Sequence, residues 1–207
     1  MLHFETIEPE TLTVLRKLIS LDALSSFSLV GGTALSLLFG HRISEDLDLF
    51  TSEAFDNEQI ENTLIENFSD GIDIRQSTGF GIFGFINEIK VDLVRFPHPL
   101  IRPVHEIDGI RMFSVEDIIA MKVQAVIGRG RKKDFWDIAK LLQYYSVQDF
   151  IDFHKEKYST QNLMITVPQA ITYFDDANDD ADPISLKGQT WDSVKEEIQE
   201  KVRLFLL

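Results

Sequence analysis

Two aspartates, Asp46 and Asp48, stand two residues apart in the segment Ile43-Ser-Glu-Asp-Leu-Asp-Leu-Phe50. On an extended strand alternate side chains share a face, so both carboxylates point one way while Leu47 and Leu49 point into a core. Like charges this close raise each other's pKa unless a cation intervenes. A hard divalent ion such as Mg²⁺ resolves the repulsion, because it takes one or two protein carboxylates and completes its shell with substrate phosphates. Upstream, Gly31-Gly32-Thr33 follows a short apolar strand-like run, Phe27–Val30, and opens a helix-spaced segment, Thr33–Phe39, that Gly40 ends. Glycine lets the backbone approach a ligand closely, and a helix N-terminus offers free N–H groups to an anion; Thr33 adds a hydroxyl. A phosphate cradle beside a metal-binding pair suits phosphoryl or nucleotidyl transfer.

A third acid, Asp92, lies in Ile89–Phe96 and shares a strand face with Lys90 and Val94. If this strand runs beside the one with Asp46 and Asp48, three carboxylates converge. That is enough for two ions about 3.5–4 Å apart, clamping the attacking and leaving oxygens of an in-line displacement. The plain alternatives are a solvated edge strand for the acid pair and an ordinary strand-to-helix turn for the glycines. Aspartate's poor strand propensity weighs against the first.

The elements needed to position these groups are legible from periodicity. Leu12, Leu15, Leu18 and Ile19 give Pro9–Ile19 a helical stripe, and Asp56–Phe68 reads likewise. Ile72–Gln76, Thr78–Ile86 and Ile89–Phe96 read as strands, with Asn87-Glu88 as a two-residue hairpin turn. Ser114 starts a helix running to Gly128, with Asp117 as its capping partner and Lys122 on its length. Arg129–Lys133 is a dense basic cluster, followed by a helix over Asp134–Tyr145 on which Asp134 and Asp137 share a face. Val147–Lys157, Val167–Phe174 and Trp191–Leu206 read as helices, with an acidic, solvated linker at Asp175–Pro183. The expected fold is α+β: a mixed sheet with flanking helices over residues 1–105, then a helical region over 106–207, divided between Pro103 and Arg111.

The 207 residues are 44% hydrophobic, contain no cysteine and carry a net charge of −14. A cysteine-free chain excludes a disulfide scaffold and a thiolate metal site. The charge argues against non-specific nucleic-acid binding, though not against a local basic patch. No apolar run is long enough to span a bilayer, and Met1-Leu-His-Phe-Glu5 lacks a signal-peptide layout, so the expectation is a cytoplasmic protein with no membrane partner. The histidines show no metal-ligand spacing.

Gly31-Gly32 followed by Asp46-Leu-Asp48 resembles the signature of the DNA polymerase β-type nucleotidyltransferase superfamily. The chain is similar in particular to the AbiEii/AbiGii group of nucleotidyltransferase toxins. Ile89-Lys-Val-Asp-Leu-Val94, Asp117–Gln124 with Arg129–Asp137, and Tyr173–Asp180 with Trp191 and Val194-Lys195 carry the likeness through most of the sequence. The resemblance implies a nucleotidyltransferase-like sheet and Mg²⁺-dependent transfer from a nucleoside triphosphate to an acceptor hydroxyl. Asp46, Asp48 and Asp92 would be the catalytic metal ligands; Gly31, Gly32 and Thr33 would seat the β- and γ-phosphates. It further implies that Lys122 grips the triphosphate, that Asp134 serves the site or holds Lys122, that RNA is the acceptor, and that an antitoxin is separately encoded. Two rivals remain at this level: a protein acceptor, and a non-catalytic nucleotide-binding or regulatory protein on the same fold.

Overall fold

The computed structural model describes residues 1–207, the side chain of Asp70 excepted. Seven strands form one mixed sheet: β1 Ser28–Leu29, β2 Leu47–Thr51, β3 Ile72–Thr78, β4 Gly81–Ile86, β5 Ile89–Arg95, β6 His105–Ile107 and β7 Ile110–Met112. Their order is β3-β4-β5-β2-β1-β7-β6. β2 runs parallel to β5, and β1 parallel to β7; the other neighbours are antiparallel. Leu47, Leu49, Val91 and Leu93 are buried on one face of the central strands, as strand alternation requires.

The helices are α1 Pro9–Ser20, α2 Gly31–Phe39, α3 Asn57–Phe68, α4 Val115–Gly128, α5 Lys132–Leu141, α6 Val147–Lys157, α7 Val167–Ile171 and α8 Trp191–Leu206. Their ends follow local chemistry. Asp56 caps α3 by accepting from the N–H groups of Glu58 and Gln59, and Gly40 closes α2 in the left-handed conformation at φ 60°. Asn87 and Glu88 take positive φ, as the turn between β4 and β5 demands. α3 packs on β3 and β4, while α2, α4 and α5 pack on one another.

The sheet continues past residue 105, because β6 and β7 are a hairpin. Its turn, Asp108-Gly109, has positive φ at both residues, and Asp-Gly is among the strongest hairpin signals. The main apolar core runs from Leu2 through the sheet to Val202 on α8, and Ile101, Ala120 and Tyr158 form a small second cluster. Where the sheet meets the helices, Lys157 and Asp117 form a wholly buried ion pair at 2.6 Å. Asp117 also accepts from the N–H groups of Ile101 and Arg102 at 2.9 and 3.1 Å. The pair thereby fastens α4 and α6 to the segment after β5. Ser114 caps α4, as expected, but Asp117 turns to Lys157 and this segment instead of completing a capping box.

Removing one partner of a buried pair leaves the other charge uncompensated, at a cost of about 3–5 kcal/mol. Lys157→Met should therefore lower the unfolding free energy by about that amount in urea titration. The exposed control Lys201→Met should change it by less than about 0.5 kcal/mol.

Candidate active site

Parallel pairing of β2 with β5 sets Asp48 opposite Asp92 in register, with Leu47 opposite Val91 and Leu49 opposite Leu93. The two acids therefore share one sheet face and the leucines the other. Burial raises the Asp48 carboxyl above its usual range, and the neighbouring Asp92 pushes it further. Lys90 donates to Asp92 Oδ2 at 2.5 Å, whereas Asp92 Oδ1 is buried without a partner. Asp46 stands just before β2 rather than within it, and its carboxylate pairs with Lys133 Nζ at 2.8 Å. Lys133 holds the Asp46 carboxyl below its ordinary value against the opposing effect of burial. As the side chains stand, no three His, Cys, Asp or Glu among the described residues gather closely enough to hold one ion. Asp48 and Asp92 stand opposite each other across the β2–β5 pairing, and the charges of Asp92 and Asp46 are both felt at Asp48.

The glycine turn abuts this pair. The Val30 N–H donates to Asp48 O at 2.9 Å, extending the β1–β2 ladder to the N-cap of α2. Gly31 then turns at φ +71°, and a Cβ there would lie 2.6 Å from Asp48 Oδ2. No side chain caps α2, so its first N–H groups remain available beside the acids. Gly32 backs onto the Arg42 guanidinium, which a Cβ would meet. Thr33 is buried; its hydroxyl bonds Ser44 Oγ at 2.8 Å and the Asp46 carbonyl. That hydroxyl secures the loop carrying Asp46.

Beneath the turn lies a buried charge network. Asp137 accepts from Arg42 Nε and Nη2 at 2.7 and 2.9 Å and from His41 Nε2 at 2.8 Å. Lys122 lies 2.6 Å from Asp137 and 2.9 Å from Asp134. Arg42 and Lys122 hold the Asp137 carboxyl well below the usual carboxylate range despite its burial. Burial pushes the His41 imidazole below its ordinary value against the pull of Asp137, and its Nδ1 has no partner.

A cleft of about 340 Å³ opens beside Asp46, lined in part by Arg42, Ser44, Arg131, Lys133 and Asp182. One wall is the acidic linker, whose aspartates are exposed while its backbone closes over Lys132. Lys132 is buried and donates to Asp182 Oδ1 and to the carbonyls of Asn178 and Asp180. The linker thus straps the start of α5.

The sequence model of the AbiEii nucleotidyltransferase toxin of type IV toxin–antitoxin systems matches residues 14–204. The chain belongs to this family. It is accordingly a nucleotidyltransferase, and its mixed α+β sheet is the nucleotidyltransferase fold. An uncharacterized Aquifex aeolicus protein is 30% identical over 97% of this chain and 98% of its own. Among solved structures, MenT4, a Mycobacterium tuberculosis nucleotidyltransferase toxin, superposes with TM-score 0.61 at 12% identity, over 95% of this chain and 82% of its own. JHP933 from Helicobacter pylori gives 0.58 at 20% identity, over 96% and 92%; such identities speak for the fold alone. No helix among the described residues is long and apolar enough to cross a membrane.

Sequence reasoning gave Arg42, His41 and Lys90 no role, although it set Lys90 on the strand face of Asp92, and it treated Lys133 only as one residue of a basic cluster. A signal existed. Asp134 and Asp137 lie on a helix whose Phe135, Ile138 and Leu141 are all buried, and buried carboxylates require buried cations. Lys122 supplies one such cation and Arg42 the other.

Two outcomes follow from this packing. Gly31→Ala should destabilise the fold by about 1 kcal/mol or more in urea unfolding, since a side chain there is strained by both φ and Asp48. Asp137→Asn should be destabilised most above about pH 4. The depressed native pKa means Asp137 stabilises the fold while ionised and loses that contribution as pH falls. The gap between wild type and Asp137→Asn in unfolding free energy should therefore shrink below that pH.

Proposed function

We propose that this enzyme takes a nucleoside triphosphate with Mg²⁺ and passes its nucleotidyl group to an acceptor hydroxyl on RNA or protein, releasing pyrophosphate. The observation that carries this reading is the Asp48–Asp92 register beside the uncapped N-terminus of α2. The raised Asp48 carboxyl and the unpartnered Asp92 oxygen suit a hard cation, because each leaves negative charge poorly compensated. Asp48 and Asp92, with Asp46 beside them, would hold Mg²⁺, whose charge offsets that of the triphosphate and of the exchanging oxygens. Gly31 and Gly32 present N–H groups to the β- and γ-phosphates, and Arg131 and Lys133 supply positive charge along the cleft. Asp92 Oδ1 is placed to accept the proton of the attacking hydroxyl. Catalysis is then chiefly positioning and charge neutralisation.

In this reading Thr33 acts through the Asp46 loop, and Lys122 and Asp134 act through the network below the glycine turn. Membership of a toxin family supports a toxin role, with a separately encoded antitoxin as partner.

The test is incubation with α-labelled nucleoside triphosphates, Mg²⁺ and a cell extract. Wild type should label a macromolecule, and nuclease or protease sensitivity identifies it. Asp48→Asn and Asp92→Asn should each label about 10²-fold less or below, and chelation of the metal should abolish labelling. Equal labelling by Asp48→Asn would exclude this mechanism.

A further inference from the structure

Three lysines pair with carboxylates in and under the site, and they are held with different firmness. Lys122 meets Asp134 and Asp137 in the interior, where all three side chains are buried, and breaking such a contact strands a charge. Lys90 and Asp92 lie two residues apart on β5 and move together. Lys133 and Asp46 come from elements 87 residues apart, and their side chains are 39% and 34% exposed. Water screens a pair so open, which holds its partners by less than about tenfold in an equilibrium constant. The backbone of Lys133 is nevertheless fixed. On one side Lys132 donates to the carbonyls of Asn178 and Asp180 and to Asp182 Oδ1; on the other, Asp134 is held by Lys122. Only the Lys133 side chain is left to move, and it flanks the cleft of about 340 Å³, in which a flexible four-carbon stem has room to swing.

Asp46 is tied to the other end of that swing. Its carbonyl accepts from the hydroxyl of Thr33, in the first turn of α2. The Lys133 ammonium on Asp46 Oδ2 therefore stands near the uncapped helix start that suits a phosphate. We infer that Lys133 is an exchangeable counter-ion: it holds the Asp46 carboxylate, yields it to Mg²⁺ carried in with a triphosphate, and takes a phosphate oxygen instead. The inference rests on the reaction proposed above. One ammonium cannot sit against both anions, and a divalent ion on Asp46 would repel an ammonium 2.8 Å away. Release of Asp46 and capture of phosphate are thus one movement of one side chain. Lys133 opposes a metal ion that comes alone and favours one that comes with a polyphosphate, which is a coupling between two ligands of neighbouring subsites. An acid cluster in so acidic a chain is thereby kept from filling with free ions.

The experiment makes two binding measurements on wild type, Lys133→Gln, Lys133→Arg and Arg131→Gln. Mn²⁺ alone is followed by electron paramagnetic resonance of the free ion, and inorganic tripolyphosphate in EDTA by calorimetry. Lys133→Gln should bind Mn²⁺ at least about threefold more tightly than wild type and tripolyphosphate at least about threefold more weakly. Misfolding would weaken both, so opposite shifts in one variant report the exchange. Lys133→Arg, which keeps the charge, should follow wild type in both. Arg131 lines the same cleft but pairs with no carboxylate among the described residues, so Arg131→Gln should leave Mn²⁺ affinity within about twofold. Equal Mn²⁺ affinity in Lys133→Gln and wild type would overturn the exchange, as would an equal gain in Arg131→Gln or unchanged tripolyphosphate affinity. Any of these in a protein that labels a macromolecule sinks the exchange alone. Opposite shifts in a protein that transfers no nucleotide would sustain the exchange and sink only the proposed reaction.

Discussion

Asp137 is the charge on which the site depends. It is wholly buried and serves three partners from two regions of the chain: Arg42 and His41 from the α2–β2 loop, and Lys122 from α4. An isolated carboxylate so placed would neutralise itself by taking up a proton. With a bidentate guanidinium and an ammonium beside it, it stays ionised, and the low dielectric makes each contact stronger than it would be in water. Because Arg42 lies directly against Gly32, the carboxylate of α5 fixes the far side of the glycine turn. Asp48 bounds the near side. The turn is held between the Asp48 carboxylate on one side and the Arg42 guanidinium on the other.

This arrangement accounts for glycine at both residues, for different reasons. Gly31 needs the left-handed backbone and must clear Asp48; Gly32 must clear Arg42. A Cβ at either would disturb a charged neighbour, Asp48 in one case and Arg42 in the other. Thr33 completes the set by bonding back to Ser44 and to the Asp46 carbonyl, so the third acid moves with the helix start.

Much of this was legible in the sequence, and the exceptions share a cause. The alternation of Leu47, Asp48 and Leu49 set the faces of β2, and the same rule placed Asp92 with Lys90; Asp46, expected on the strand beside Asp48, falls just outside it. Asn87-Glu88 turned as expected despite being a weaker pair than Asn-Gly. The Asp108-Gly109 hairpin carried its signal in plain view and was passed over because its strands are three residues each, too short for periodicity to register. Spacing along a chain says nothing about partners many residues away. Asp137 meets Arg42 across 95 residues and Lys133 meets Asp46 across 87. Lys132, read as part of an exposed basic cluster, is buried by an acidic linker that composition alone marked as solvated.

The cations nearest the acids do not make this region basic. Lys133, Arg131, Arg42 and Lys90 lie at or around Asp46, Asp48 and Asp92, but Glu45, Asp46, Asp180 and Asp182 line the same cleft, and Lys133, Arg42 and Lys90 are each paired with a carboxylate. At about 0.15 M salt, screening confines each field to roughly 8 Å, so a ligand in the cleft senses these near charges of both signs far more than the rest of the acidic surface. The Asp48 carboxyl, raised by burial and by Asp92, and the unpartnered Asp92 oxygen are where a nearby cation would relieve repulsion most.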